Sequence, residues 1–178
     1  MKIQLQLTAL AVCCLTATGA AQVPATPVSD ALRSIAQRAA NNLVAAAEEM
    51  PAPKYGFKPT PAQMSVGDII GHLAGGNDFL CSTIGGVPAP KRSELAAGAS
   101  KETLVGRLRE TFQFCESALA TVNDADLGTK VPYFGNSEVS RAQAMFAAVE
   151  DWGDHYSQLA VYLRLNGLLP PTAKRSQQ

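Results

Sequence analysis

The chain is poor in aromatic residues, in histidine and in charge of either sign in excess. Aromatics make up 6% of the residues, too few to build the faces of a β-sandwich, and alanine is abundant, so a helical protein is expected. Basic and acidic residues number 15 each, with no Lys/Arg cluster, which takes nucleic acid off the list of expected partners. There is no Gly-rich phosphate loop and no Cys-x-x-Cys pair, so nucleotide cradling and dithiol chemistry are not indicated. Long apolar runs are also missing. The nearest is residues 3–17, which is too short and too interrupted by Gln4 and Gln6 for a comfortable membrane span.

That run has a different meaning. Lys2 gives a positive start, the apolar stretch follows, and Thr18-Gly-Ala-Ala-Gln22 offers small residues for cleavage. This is the layout of a secretory signal peptide over residues 1–21, so an exported protein, periplasmic or secreted, is expected, with no membrane association after cleavage. A poorly ordered N-terminal helix is the alternative. Cys13 and Cys14 would leave with the leader, and Val12 in place of a small residue argues against a lipoprotein. Two cysteines then remain, Cys81 and Cys115.

Residues 22–171 read as one all-α domain, and residues 172–178 as a polar tail. The first helix is expected from an N-cap at Ser29 or Asp30 through Met50, with Leu32, Ile35, Ala39, Leu43 and Ala46 at helical spacing. Prolines 51, 53, 59 and 61 make the next stretch a loop. Ser65, with Asp68 three residues on, caps a second helix whose buried stripe is Val66, Ile69, Leu73, Leu80 and Ile84. Gly75 and Gly76 are poor helix formers in its middle, and their expected use is to let another helix or a ligand come close. Gly85-Gly86 stops it. Ser100 caps a third helix reaching about Val122. A fourth runs from Ser137 to Asn166-Gly167, with Met145, Trp152, Leu159 and Leu163 inward.

Four such helices form a four-helix bundle. The connection from Gly86 to Ala99 can stretch about 45 Å, enough to run back along a second helix of about 30 Å and start the third parallel to it. Cys81 then lies sixteen residues past its cap and Cys115 fifteen past its own, at one depth. That match favours a Cys81–Cys115 disulfide over two buried free thiols.

Both histidines of the chain, His72 and His155, fall on inner flanks of helices. Asp151 precedes His155 by one turn, and a carboxylate at the edge of a core needs a partner. Two imidazoles and a carboxylate are a ligand set for zinc or iron with coordination positions left open. The competing reading is a His–Asp hydrogen bond inside the fourth helix, with His72 elsewhere. Gln158, Tyr162 and Asn77 are candidates for hydrogen-bonding the ligands from behind, although packing or capping of their own helices would also explain them. Ser157 lies on the solvent face with no spare histidine, so it is no nucleophile.

The segment Asp151-Trp-Gly-Asp-His-Tyr-Ser-Gln-Leu-Ala-Val-Tyr-Leu-Arg-Leu-Asn-Gly-Leu-Leu-Pro-Pro171 resembles the last helix of DinB-like proteins, metal-binding four-helix bundles related to YfiT-type hydrolases and thiol S-transferases. Gly71-His-Leu-Ala-Gly75 resembles their second-helix histidine motif. The resemblance implies parallel second and third helices joined by a long crossover, homodimers in many members, and a divalent ion. It places that ion on His72 and His155, with Asp151 standing where the family has a further histidine. Zinc, nickel, iron and manganese are all compatible with such a set. The expected activity is hydrolysis of an unknown small molecule through a metal-activated water. A thiol S-transferase relative, or a non-catalytic, metal-stabilised binding or stress-associated bundle, are the alternatives.

Overall fold

Capping chemistry decides where most of the helices begin. In the computed structural model, which describes residues 26–176, α1 spans Pro27–Glu49, α2 Val66–Gly85, α3 Lys101–Leu119, α4 Arg141–Leu165 and α5 Pro171–Arg175. The expected leader, residues 1–21, lies outside the described residues. At the start of α2, the Ser65 hydroxyl accepts from the Asp68 amide while the Asp68 carboxylate accepts from the Ser65 amide, a reciprocal box that satisfies two orphan donors. Gly86 ends the helix at φ 67°, a conformation that favours glycine. Ser100 caps α3 in one direction only, its hydroxyl accepting from the Thr103 amide.

Two helix starts differ from expectation. α1 begins earlier, with Pro27 in its first turn, and Ser29 is no cap: its amide and hydroxyl both donate to Asp124, at 2.8 and 2.7 Å. α4 begins later. Residues Glu138–Ser140 form strand β2, paired antiparallel with β1 at Lys130–Pro132, and the capping side chain is Ser140. Both Ser137 and Ser140 are capping residues by type; the β pairing decides between them.

The α2–α3 pairing is parallel. Gly67 faces Leu104, Asn77 bonds Thr111, Cys81 is joined to Cys115, and Gly85 lies on Ala118, so both helices ascend together. The bridge spans a Cα–Cα distance of 5.1 Å with both cysteines buried. Gly85 is the position where closeness demands glycine, since a Cβ there would sit 2.4 Å from the Ala118 carbonyl oxygen. The crossover is clamped by Arg92, which donates to both carboxylate oxygens of Asp78 at 2.6 and 3.1 Å and to Glu110 at 3.1 Å. α1 runs antiparallel to α3, with Arg33 donating to the carbonyls of Leu119 and Val122, and Lys101 to those of Glu48 and Met50.

The expected stripes of α1 to α4 converge on one core, in which Trp152, Tyr162, Leu43, Ile69, Leu73 and Leu108 are fully enclosed. Residues 172–175 of the expected polar tail continue α5, whose Pro171 is buried and whose exposed Thr172 exchanges hydrogen bonds with the Tyr156 hydroxyl. Among the described residues, no helix is long and apolar enough to cross a membrane.

Candidate metal centre

The antiparallel contact of α2 with α4 brings together residues far apart in sequence. His72 lies on α2, and Asp151 and His155 lie one turn apart on α4. The Nε2 atoms of both histidines stand 3.3 Å from the same oxygen, Asp151 Oδ1. One ligand atom from each of the three lies within 4.8 Å of the others, and the two imidazole rings meet edge to face with centroids 4.8 Å apart. Donors that share a tetrahedral ion through bonds of about 2.1 Å are separated by about 3.4 Å, which the two 3.3 Å distances to Asp151 Oδ1 match.

Hydrogen bonding within the cluster is incomplete. Asp151 Oδ2 and His155 Nδ1 are buried without a partner. Such orphans are expensive unless something else satisfies them. Burial pushes the Asp151 carboxyl up, but the hydrogen bonds and charge of His155, and those of His72, outweigh it and hold the group below its ordinary value. The same contact with Asp151 raises His155, against the opposing effect of burial. Without an ion, the cluster is therefore a proton-sharing pair with an exposed imidazole beside it. The donor set, its spacing and the free oxygen all fit a divalent cation, and His72, Asp151 and His155 could hold one.

The flanking polar residues lie elsewhere. Tyr162 donates to the carbonyl of Met64 at 3.1 Å. Asn77 accepts from Trp152 Nε1 at 2.7 Å and donates to Thr111 at 3.2 Å, one layer deeper in the core. Gln158 sits beside His155 and adds weakly to the upward pull on it, but its amide donates to Asp154 at 2.8 Å and leaves Nδ1 unsatisfied. None of the three is hydrogen-bonded to a ligand atom, since each is engaged with another partner.

His72 and Asp151 face an open cleft of about 1010 Å³ between α2, α4 and the hairpin tip. Gly75 and Gly76 border it. Each costs about 1 kcal/mol relative to alanine in a helix interior. At Gly76 an added Cβ would rest 3.6 Å from Asp151 Oδ2. Tyr133 and Phe134 of the hairpin complete the wall, with Phe134 tilted against Phe79 of α2, ring centroids 4.4 Å apart, and Tyr133 edge to face with Phe134. Periodicity did not reveal these two, since they lie in a connection whose fold depends on the β pairing.

The fold and cluster thus define a four-helix bundle carrying a two-histidine, one-carboxylate site between its second and fourth helices. The DinB superfamily matches the chain over residues 35–159, and the protein belongs to that superfamily. No curated protein matches the sequence. Solved structures of similar fold include a DinB-like protein from Bacillus subtilis, at 18% identity and TM-score 0.62 over 77% of this chain and 92% of that one. A DinB-like protein from Bacillus cereus aligns at 15% identity and TM-score 0.66, covering 80% and 95%. A mutant of a mycothiol-dependent maleylpyruvate isomerase aligns at 9% identity and TM-score 0.58, covering 74% of this chain and 60% of the isomerase. At these identities the likeness concerns the fold.

Proposed function

We propose that the protein is an exported, divalent-metal-dependent hydrolase acting on a small molecule in the cleft beside His72 and Asp151. One observation carries this reading: two imidazole nitrogens converge on one oxygen of a partly buried carboxylate whose second oxygen is buried and has no partner. An ion held there supplies Lewis-acid polarisation of a substrate carbonyl and lowers the pKa of water. The residues themselves have separate tasks. His155, almost fully buried, is the rigid donor. Asp151 neutralises part of the cation's charge. His72, half exposed on its side chain, faces the opening where substrate arrives. Glu150 and Asp154 border the cleft and are the candidates to accept a proton from an incoming nucleophile.

Export finds support in the Cys81–Cys115 bridge, since such cross-links persist in oxidising compartments. The likeness to a mycothiol-dependent isomerase favours a second reading, transfer to or from a small thiol. The disulfide weighs against it, because reducing thiol pools are cytosolic. Protein purified without chelator is expected to contain about one divalent ion per chain by elemental analysis, and His72→Ala to contain none. Turnover on an ester and amide panel should vanish with the same substitution. Full activity in metal-stripped protein would refute the hydrolase.

A further inference from the structure

We propose that the cleft selects small molecules with a flat, uncharged aromatic group, laid on bare α2 backbone and against Phe79 and Phe134, with a polar head turned toward His72, Asp151 and His155. This inference rests on the metal reading above and adds the class of ligand. Its first support is the purpose of the glycines. Gly71, Gly75 and Gly76 all line the cleft, and none adopts positive φ. A Cβ at Gly75 would meet nothing within 4 Å, and one at Gly71 would only touch Leu95 Cδ1 at 4.0 Å. Neither backbone conformation nor a packed neighbour requires glycine there, in contrast to Gly85. What their bareness leaves is a smooth floor, deep enough for a ring, leading to the ligand cluster.

The second support is the wall. Phe134 is 55% exposed although it is a large apolar side chain, and it stands over this cleft, tilted 34° to Phe79. Tyr133 meets it edge to face at 4.8 Å. Aromatic surface kept open beside a site of polar donors suits a second ring, stacked or edge-on. The third support is charge. The charged groups lining the cleft are Glu150, Asp151 and Asp154, with His72, and no lysine or arginine joins them. A carboxylate or phosphate on the far end of a ligand would face acids without a counter-ion, so the distal group is uncharged.

Three hydroxamates, which chelate through one common head, test this by calorimetric titration into zinc-loaded protein: benzohydroxamate, acetohydroxamate and 4-carboxybenzohydroxamate. The benzo compound is expected to bind at least about tenfold more tightly than the aceto compound. The carboxylated ring should lose most of that gain. Gly75→Leu, which fills the floor and favours the helix, should bring the ratio close to one with zinc content unchanged. Phe134→Ala, at an exposed position, should lower it severalfold and carries the test if Gly75→Leu fails to fold. Equal affinity of the benzo and aceto compounds in the unaltered protein, or an undiminished ratio in the folded variants, overturns the inference. Zinc uptake without ring preference sinks this inference alone; absence of zinc uptake sinks the metal reading and this inference together.

Discussion

Two polar clusters lie between α2 and α4, five residues apart on α2, and they are built in opposite ways. At Asn77 the side chain is 1% exposed and its amide is used at both ends, accepting from Trp152 and donating to Thr111. At His72, Asp151 and His155 the donors crowd one oxygen while Asp151 Oδ2 and His155 Nδ1 stay buried and unused. A satisfied buried network holds the core in one arrangement; an unsatisfied one at the wall of a cleft waits for a ligand. Both clusters join α2 to α4, and the closed one also reaches Thr111 on α3. The open one is the candidate site.

That contrast can be broken experimentally, and the largest effect should come from the closed side. Replacing both Cys81 and Cys115 by serine frees a 34-residue separation beside Asn77, and loop entropy puts the loss near 4 kcal/mol in urea unfolding. A loss under 1 kcal/mol would mean that the bridge contributes little to the α2–α3 pairing. Next, Asn77→Ala should lose about 3 kcal/mol, since it strands the Trp152 indole N–H in the core, opens a cavity and removes the bond to Thr111, whose hydroxyl keeps only the Leu108 carbonyl. The open cluster should respond to metal instead. Zinc at a hundredfold excess over its Kd should stabilise the protein by about 2.7 kcal/mol, read as a rise in melting temperature, with Asn77→Ala gaining as much as the unaltered chain. His72→Ala should abolish that rise yet shift the metal-free protein by less than about 0.5 kcal/mol, because the ring is half exposed.

The smallest effect is a pair of opposing pH slopes. His155 titrates above its ordinary value in the folded state, so the stability it contributes is fully present below about pH 6.5 and is lost as pH rises through the raised value. Asp151 is held low, so its share is present above about pH 4 and disappears as pH falls through the depressed value. Metal-free protein should therefore lose stability on going from mildly acidic to alkaline pH. Zinc affinity should climb over the same range, because the neutral imidazole is the ligand. Parallel slopes would show that His155 does not bind the ion.

Several features were legible without coordinates because their causes are local. Ser65 with Asp68 marks the start of α2, and Gly86 marks its end, within a few residues of chain. The inward stripe Met145, Trp152, Leu159 and Leu163 follows from period alone, and so does the one-turn spacing of Asp151 and His155. The start of α4 was less legible. Ser137 and Ser140 are equivalent in type, and only the pairing of Val131 with Val139 takes residues 138–140 out of the helix. Asn77, Gln158 and Tyr162 looked alike as polar residues near the ligands. The partner of Gln158 is Asp154, one turn before it and within reach of the period argument, whereas the partners of Asn77 and Tyr162 (Trp152 and the Met64 carbonyl) lie on other elements, where spacing says nothing.

By itself the sequence determined an all-α bundle, the caps of α2 and α3, the core stripes and the few side chains able to ligate a cation, because capping and periodicity act over one or two turns. The tertiary structure alone decided that His72 meets Asp151 across 79 residues of chain, that Asn77 turns to Trp152 rather than to the ligands, and that the hairpin sets Phe134 over bare glycine backbone. Those outcomes depend on how α2 and α4 slide against each other, and that register is set by the whole core at once.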